Sequence, residues 1–292
     1  MSKVPVEATV LGKKVPFPQQ YDPSILVAVP RYENRKIYGI KEQPDIFVGF
    51  DAWHAWEVGF MTNNGLPVAG VMKIVYPSDN LFLVESKSLK LYLNSLNMAR
   101  MGESVHEGID LFCEVVRKDL TNLLKTEVQV AFFKGTQECE DALCNYEVLE
   151  ELPEVEQHSF ISFQENPELL SKFDDSKTIK VVSHLLRSNC KITHQPDWGS
   201  VFIYMSADNT PDKMALLEYL VSFRNENHFH EEVCEMIYKR LWDQYNPEEL
   251  MVTCIYTRRG GIDICPARAN KESLLSSYLG QVDFLTTKLL RQ

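Results

Sequence analysis

The sequence predicts an α+β fold built twice over, with antiparallel strands carrying helices on one face. Three observations lead there. Residues 46–60 and 67–76 are β-like runs joined through Thr62-Asn63-Asn64-Gly65, and an Asn-Gly step between apolar runs is a strong hairpin signal. Apolar residues then switch to helical spacing at Leu89, Leu93 and Leu96, and again at Val105, Ile109, Phe112, Val116, Leu120 and Leu123. The order strand, strand, helix, helix, strand returns after residue 178, the pattern of a tandem structural repeat. A chain of 292 residues with 45% hydrophobic content can bury two ordinary cores. The expected division is 1–137, an acidic connector at 138–177, and 178–292.

Taken in order, the first forty residues hold Pro5, Pro16, Pro18, Pro23 and Pro30, which forbid a continuous helix or central strand and predict a segment that wraps the first unit. Residues 81–92 are an apolar run turning helical. Ser104 followed by Glu107 is a capping box for the second helix. Residues 127–133 alternate as a strand. Residues 138–175 carry twelve acidic side chains against one basic, Lys172, and read as a connector with one or two edge strands. Residues 178–186 and 201–206 read as strands. Thr210-Pro211 caps a helix with Met214, Leu217 and Val221 inward. A helix over 229–245 turns Phe229, Val233, Ile237 and Leu241 inward, and a strand over 250–257 runs into Arg258-Arg259-Gly260-Gly261.

A formal net charge of -11 argues against a nucleic-acid surface, which needs clustered Lys and Arg to neutralise phosphates. No apolar run reaches the length of a membrane span, and the early run at residues 25–29 is too short for a secretory core, which predicts a cytosolic protein. Seven cysteines without framework spacing fit free thiols in a reducing compartment.

The stretch Ser188-Asn189-Cys190-Lys191-Ile192-Thr193-His194-Gln195-Pro196-Asp197-Trp198-Gly199-Ser200 reads as a turn-rich loop between apolar runs, where reactive groups are commonly displayed. A thiol reacts as thiolate, and a nearby carboxylate opposes that form unless another group compensates. Asp197 therefore fits proton handling better than activation of Cys190.

Several stretches together resemble the NADPH-dependent 7-cyano-7-deazaguanine reductases, in their long two-domain form. They are Tyr21-Asp22-Pro23-Ser24 with Val29-Pro30-Arg31, Glu85-Ser86-Lys87-Ser88-Leu89-Lys90, residues 188–200, Phe223-Arg224 with Phe229-His230-Glu231, and Tyr256-Thr257-Arg258-Arg259-Gly260-Gly261. The resemblance implies the tunnelling fold, two antiparallel four-stranded sheets each backed by a helix pair, assembling through subunit contacts into at least a homodimer. It implies a nitrile reduced to a primary amine by two NADPH, with no metal. Cys190 would add to the nitrile carbon, Asp197 would supply a proton, and His230 would orient ligand or relay a proton. Val84, Glu85, Ser86, His230 and Glu231 would contact the deazaguanine, whose adjacent ring N–H and amino group suit a carboxylate. Ser86, Lys87, Arg259 and Gly260 would hold the cofactor. No GxGxxG follows a strand, so no Rossmann unit is expected. Relatives place a cysteine three residues after the Phe-His-Glu histidine, whereas Cys234 lies four after His230.

Two other readings compete. Cys190 and His194, like His230 and Cys234, are four apart, so a zinc site of the kind in pterin-type cyclohydrolases of the same fold could be assembled. A non-catalytic purine-binding module is the third. His54, His106, His158 and His184 read as structural or surface residues.

Overall fold

The computed structural model describes residues 20–134 and 143–292. The expectations on Pro5, Pro16 and Pro18, and on the start of the acidic connector, lie outside them. In chain order the elements are β1 (Ala28–Pro30), α1 (Tyr32–Arg35), β2 (Val48–Met61), β3 (Pro67–Pro77), β4 (Phe82–Val84), α2 (Ser86–Ser95), α3 (Val105–Leu124) and β5 (Gln129–Phe133). There follow β6 (Glu147–Val148), β7 (Phe173–Asp174), β8 (Thr178–Ser183), β9 (Arg187–Cys190), β10 (Pro196–Ser206), β11 (Thr210–Pro211), α4 (Lys213–Val221), β12 (Asn227–His228), α5 (His230–Tyr245), β13 (Glu249–Tyr256), β14 (Ile262–Ala269) and α6 (Ser277–Gly280). No helix among the described residues is long and apolar enough to cross a membrane.

The hairpin signal at Asn64-Gly65 corresponds to the antiparallel β2–β3 pair, with Gly65 at φ +92° supplying the left-handed turn residue. The long strands form one sheet in the order β12-β9-β10-β13-β14-β2-β3-β5, with β8 also pairing β10. The two halves therefore share a single sheet, joined where β14 runs antiparallel to β2 from Ile262 opposite Ala55 to Ala269 opposite Val48.

Each half buries one face of the sheet under its own helix pair. Leu89, Leu93, Phe112, Val116 and Leu120 of α2 and α3 pack on Trp53, Met72 and Ile74 of β2 and β3. Leu216, Leu220, Val233, Ile237 and Leu241 of α4 and α5 pack on Val201, Ile203 and Val252 of β10 and β13. A smaller core on the opposite face includes Ala52, Val75, Phe202, Ile255 and Leu279. There the buried Lys73 donates to the carbonyls of Tyr278, Gln281 and Phe284, fastening the C-terminal segment onto the sheet.

Two local expectations change, and one strand lies where none was predicted. β14 carries Asp263, Pro266 and Arg268, residues that argue against a central strand. It forms because its charges are matched in place, Asp263 by His54 at 2.7 Å and Arg268 by Asp51 and Glu235 at 2.9 Å. The stretch around Cys190 is a β-hairpin rather than a loop. Thr210-Pro211 pairs with β7, and the cap of α4 is Asp212, which accepts from the N–H of Ala215.

The seam between the halves holds a buried ion cluster. Glu235 of α5 accepts from Arg35 at 2.7 and 2.9 Å and from Arg268 at 2.9 Å, while Asp51 pairs with Arg31 and Arg268. The arginines hold the Glu235 carboxyl down to about 2 despite the opposing cost of burial. Breaking such a cluster from one side leaves buried charge uncompensated, so Glu235→Ala should cost about 3–5 kcal/mol in urea unfolding at pH 7. Its folded value lies below the unfolded one of about 4.3. The contribution is therefore present above that pH and lost as pH falls through about 2, and the mutant's deficit should shrink in acid. An unchanged unfolding midpoint at pH 7 would mean the arginines are satisfied without Glu235.

Candidate active site

Where β14 meets β2, two adjoining pockets open between the halves. The inner one encloses about 350 Å³ including its mouth and is lined by Val84, Ser86, Cys190, Asp197, His230 and Glu231, together with Trp53, His228, Phe229 and Arg259. The outer one, about 900 Å³ including its mouth, is lined by Ser86, Lys87, Lys90, Thr193, Gln195, His230, Arg259 and Gly260.

The hairpin brings the thiol and the acid together. Cys190 closes β9, its N–H donating to Gln195 at 2.8 Å and its carbonyl accepting from His194 at 3.0 Å, with His194 in the left-handed region at φ +54°. In register, Ser188 lies opposite Asp197 and Asn189 opposite Pro196. Residues two apart on a strand share a face, so Cys190 lies on the same face as Ser188 and, across the hairpin, Asp197. Seven positions of sequence thus become one diagonal. Both side chains are buried.

Burial pushes the Asp197 carboxyl up to about 6, with Arg259 at 3.2 Å pulling the other way. A carboxyl in that range can hold a proton near neutrality and release it. His230 opens α5 with Nε2 3.8 Å from Asp197, and its ring meets Tyr256 edge-on at 4.0 Å. Burial first, then Arg259, holds the imidazole down to about 3, so it is neutral.

Glu231 follows in the first turn of α5. Its Oε1 is buried with no hydrogen-bond partner among the described residues, and burial, then Asp51, raises the carboxyl to about 8. A buried acceptor left unmatched is costly. In this pocket it supplies a place for a ligand's donors.

Glu85 is not brought to either pocket. It stands at the N-cap of α2, where its two oxygens accept from the N–H groups of Lys87 and Ser88 at 2.9 and 2.8 Å. Both oxygens engage the helix start, and Val84 and Ser86 on either side of Glu85 line the inner pocket. Its effect is to set Ser86 and Lys87 at the first turn, from which Lys90 follows on the same side of the helix.

Gly260 and Gly261 turn the chain at φ +60° and +80°. Arg258 stacks on Trp56 at 3.7 Å, while Arg259 reaches the pockets. The two arginines are thus split between bracing the turn and lining the site. Lys87, Lys90 and Arg259 around an open recess form a donor set that suits the phosphates of a dinucleotide. The alternative zinc ligands do not converge. Cys234 is buried with Sγ against the Val252 and Pro266 carbonyls, and His194 Nδ1 is paired with Asn227 near the surface. Among the described residues the metal-capable group is instead His54, Asp263 and Cys265, and the Lys288 ammonium lies 3.5 Å from Asp263 there.

Trp53, His228, Lys90, Thr193 and Gln195 line the pockets without having been singled out in the sequence. Only Lys90 carried a usable signal, one turn beyond Ser86 and Lys87 on the predicted helix.

The family model described as nitrile reductase, 7-cyano-7-deazaguanine-reductase N-term, matches residues 17–132, and that described as QueF-like protein matches residues 196–274. A protein of Acinetobacter baumannii named NADPH-dependent 7-cyano-7-deazaguanine reductase is 36% identical over 91% of this chain and 94% of its own length. Proteins of the same name from Psychrobacter cryohalolentis and Coxiella burnetii are 34% and 35% identical, over 91% and 90% of this chain and 95% and 92% of theirs. The crystal structure of the archaeosine synthase QueF-Like in the apo form aligns with 34% of the chain and 98% of its own, at a TM-score of 0.31 and 16% identity.

Proposed function

The chain belongs to the NADPH-dependent 7-cyano-7-deazaguanine reductase family, and from that premise we propose that it reduces this nitrile to the 7-aminomethyl base, a step of queuosine biosynthesis, by the following chemistry. The observation that carries the reading is a single pocket holding a buried thiol, a carboxyl raised to about 6, and a buried Glu231 oxygen without a partner among the described residues. Cys190 adds through sulfur to the nitrile carbon, giving a covalent thioimide. Negative charge forms on the nitrile nitrogen, and Asp197 donates the proton that quenches it. Glu231 accepts the ring N–H and the exocyclic amino group, one through each oxygen. Neutral His230 offers one donor and one acceptor to the intermediates as the carbon–sulfur bond breaks. When bound, NADPH supplies hydride to the substrate carbon, two equivalents for the four-electron change. Ser86, Lys87, Lys90, Arg259 and the Gly260 backbone would hold it. The reaction is tested by supplying the cyano substrate and NADPH. Two NADPH should be oxidised per amine formed, and a ratio of one, or no amine, would refute the reading.

Glu231→Leu should weaken substrate binding by about 1–3 kcal/mol, because the ligand's donors lose their acceptor. Since the empty-pocket carboxyl sits at about 8 and the bound form pairs as carboxylate, binding at pH 7 should also release a proton. Calorimetry in buffers of different ionisation enthalpy measures both. Unchanged affinity in the leucine variant would mean the ring faces elsewhere.

The partner proposed beyond these small molecules is a second copy of the chain. Among the described residues β5 ends the sheet with one edge unpaired, and an open edge invites pairing between subunits.

A further inference from the structure

The guanine-like edge of the proposed substrate carries three groups in a row, an exocyclic amino group, a ring N–H and a carbonyl oxygen. Glu231 matches the two donors. The carbonyl calls for a donor beside them, which a carboxylate does not supply.

Two side chains lining the inner pocket can only donate, Arg259 and Trp53. Arg259 is drawn to Asp197 at 3.2 Å and to Gln195 at 3.4 Å. Trp53 is unengaged. Its side chain is buried, at 1% exposure, and Nε1 has no hydrogen-bond partner among the described residues. A buried tryptophan ordinarily finds a partner for its N–H. Trp56, three residues on, does so by donating to Asp263 at 2.7 Å. The strand explains the contrast. Trp53 of β2 lies in register with Ile264 of β14 and Ile74 of β3, so both flanking side chains are apolar and neither offers an acceptor. Ile264 lines the pocket with it. Tyr76 stacks on the indole, with ring centroids 6.5 Å apart and the planes 30° from parallel, and braces it. A phenylalanine would fill an apolar site without burying an unmatched donor, so the hydrophobic role alone does not account for an indole here.

We propose that Trp53 is a specificity-determining residue of the substrate pocket, its indole N–H donating to the carbonyl oxygen of the deazaguanine while Glu231 accepts from the ring N–H and the amino group. This rests on the reading of the pocket as the deazaguanine site and extends it from two hydrogen bonds to three. The consequence is selection by mismatch. An adenine-like base puts an amino group where the carbonyl stood and a lone pair where the ring N–H stood. Donor then faces donor at Trp53, and acceptor faces the Glu231 carboxylate. A site built on hydrogen bonds rejects such a ligand because its own buried groups are left unmatched.

The test compares kcat/KM for 7-cyano-7-deazaguanine and for its 6-thioxo analogue in the unmutated protein and in Trp53→Phe. The analogue keeps both donors for Glu231 and exchanges the carbonyl for a weaker acceptor. The unmutated protein should favour the oxo substrate by about tenfold. Trp53→Phe should lose about tenfold on the oxo substrate and little on the analogue, so that the preference disappears. Equal losses on the two substrates would mean that the indole only fills space, and would overturn the proposal. Should the variant not fold, the indole N–H signals of the unmutated protein decide, in a proton–nitrogen NMR spectrum. Of the four tryptophans only Trp53 lines either pocket. Adding the 7-aminomethyl base should therefore move one indole signal downfield, and four unmoved signals would overturn the proposal. The underlying reading is scored separately. If the unmutated protein forms no amine from the cyano substrate, that reading fails and this proposal with it; if amine forms and the losses are equal, this proposal fails alone.

Discussion

Cys190→Ala should lose turnover by roughly 10³-fold or more, as removal of a nucleophile from a concerted site does. Incubated with the cyano substrate and no NADPH, the unmutated protein should gain the mass of one substrate molecule, and the alanine variant should gain nothing. The comparison is clean because the substitution removes only one sulfur from a buried strand end whose backbone bonds to Gln195 and His194 stay in place. In the proposed function Glu231 rather than sulfur recognises the ring, so the variant should still bind the base. That combination separates covalent catalysis from a binding module, which would show binding and no turnover in the unmutated chain as well. An adduct that survives in the alanine variant would take Cys190 out of the mechanism.

The site was legible where local chemistry and spacing coincide, and obscure where tertiary pairing decides. The helical spacing of Val105, Phe112, Val116 and Leu120 reflects a face that is buried whatever else happens. Asn64-Gly65 needs only its own backbone freedom to announce a turn. β14 was hidden because Asp263, Pro266 and Arg268 look like loop residues until His54, Asp51 and Glu235 from distant segments neutralise them. The same limit explains why two sheets were expected and one was found, since the β14–β2 joint is a contact about two hundred residues long in sequence terms. Glu85 shows how one carboxylate can answer two readings. A carboxylate one residue before a helix has two plausible uses, and its two backbone donors were closer to hand than any ligand. His228 gave no signal because its pairing with Cys190 depends on a two-residue parallel strand.

Asp197→Asn is expected to cost about 10²–10⁴-fold in kcat/KM, the usual range for loss of a general acid, with the amide unable to give the nitrile nitrogen its proton. The pH dependence gives the sharper criterion. With the carboxyl at about 6, half of the free protein holds the proton at that pH and about a tenth at pH 7, so kcat/KM for the parent should fall as pH rises through about 6. The asparagine variant should lack that descent, and a parent profile flat across the range would exclude Asp197 as the donor. Stability then rules out misfolding as the cause of lost activity. The folded value lies above the unfolded one of about 3.9, so the folded state favours the protonated form, and stability declines as pH rises between those two values and stays lower above them. Asparagine carries no charge to bury. The variant should therefore be no less stable than the parent at pH 8, and more stable by up to about 3 kcal/mol if its amide is accommodated. Arg259 sets the size of that gain. Its attraction favours the buried carboxylate, so the same arginine that would meet the cofactor phosphates in the proposed function also restrains the acid.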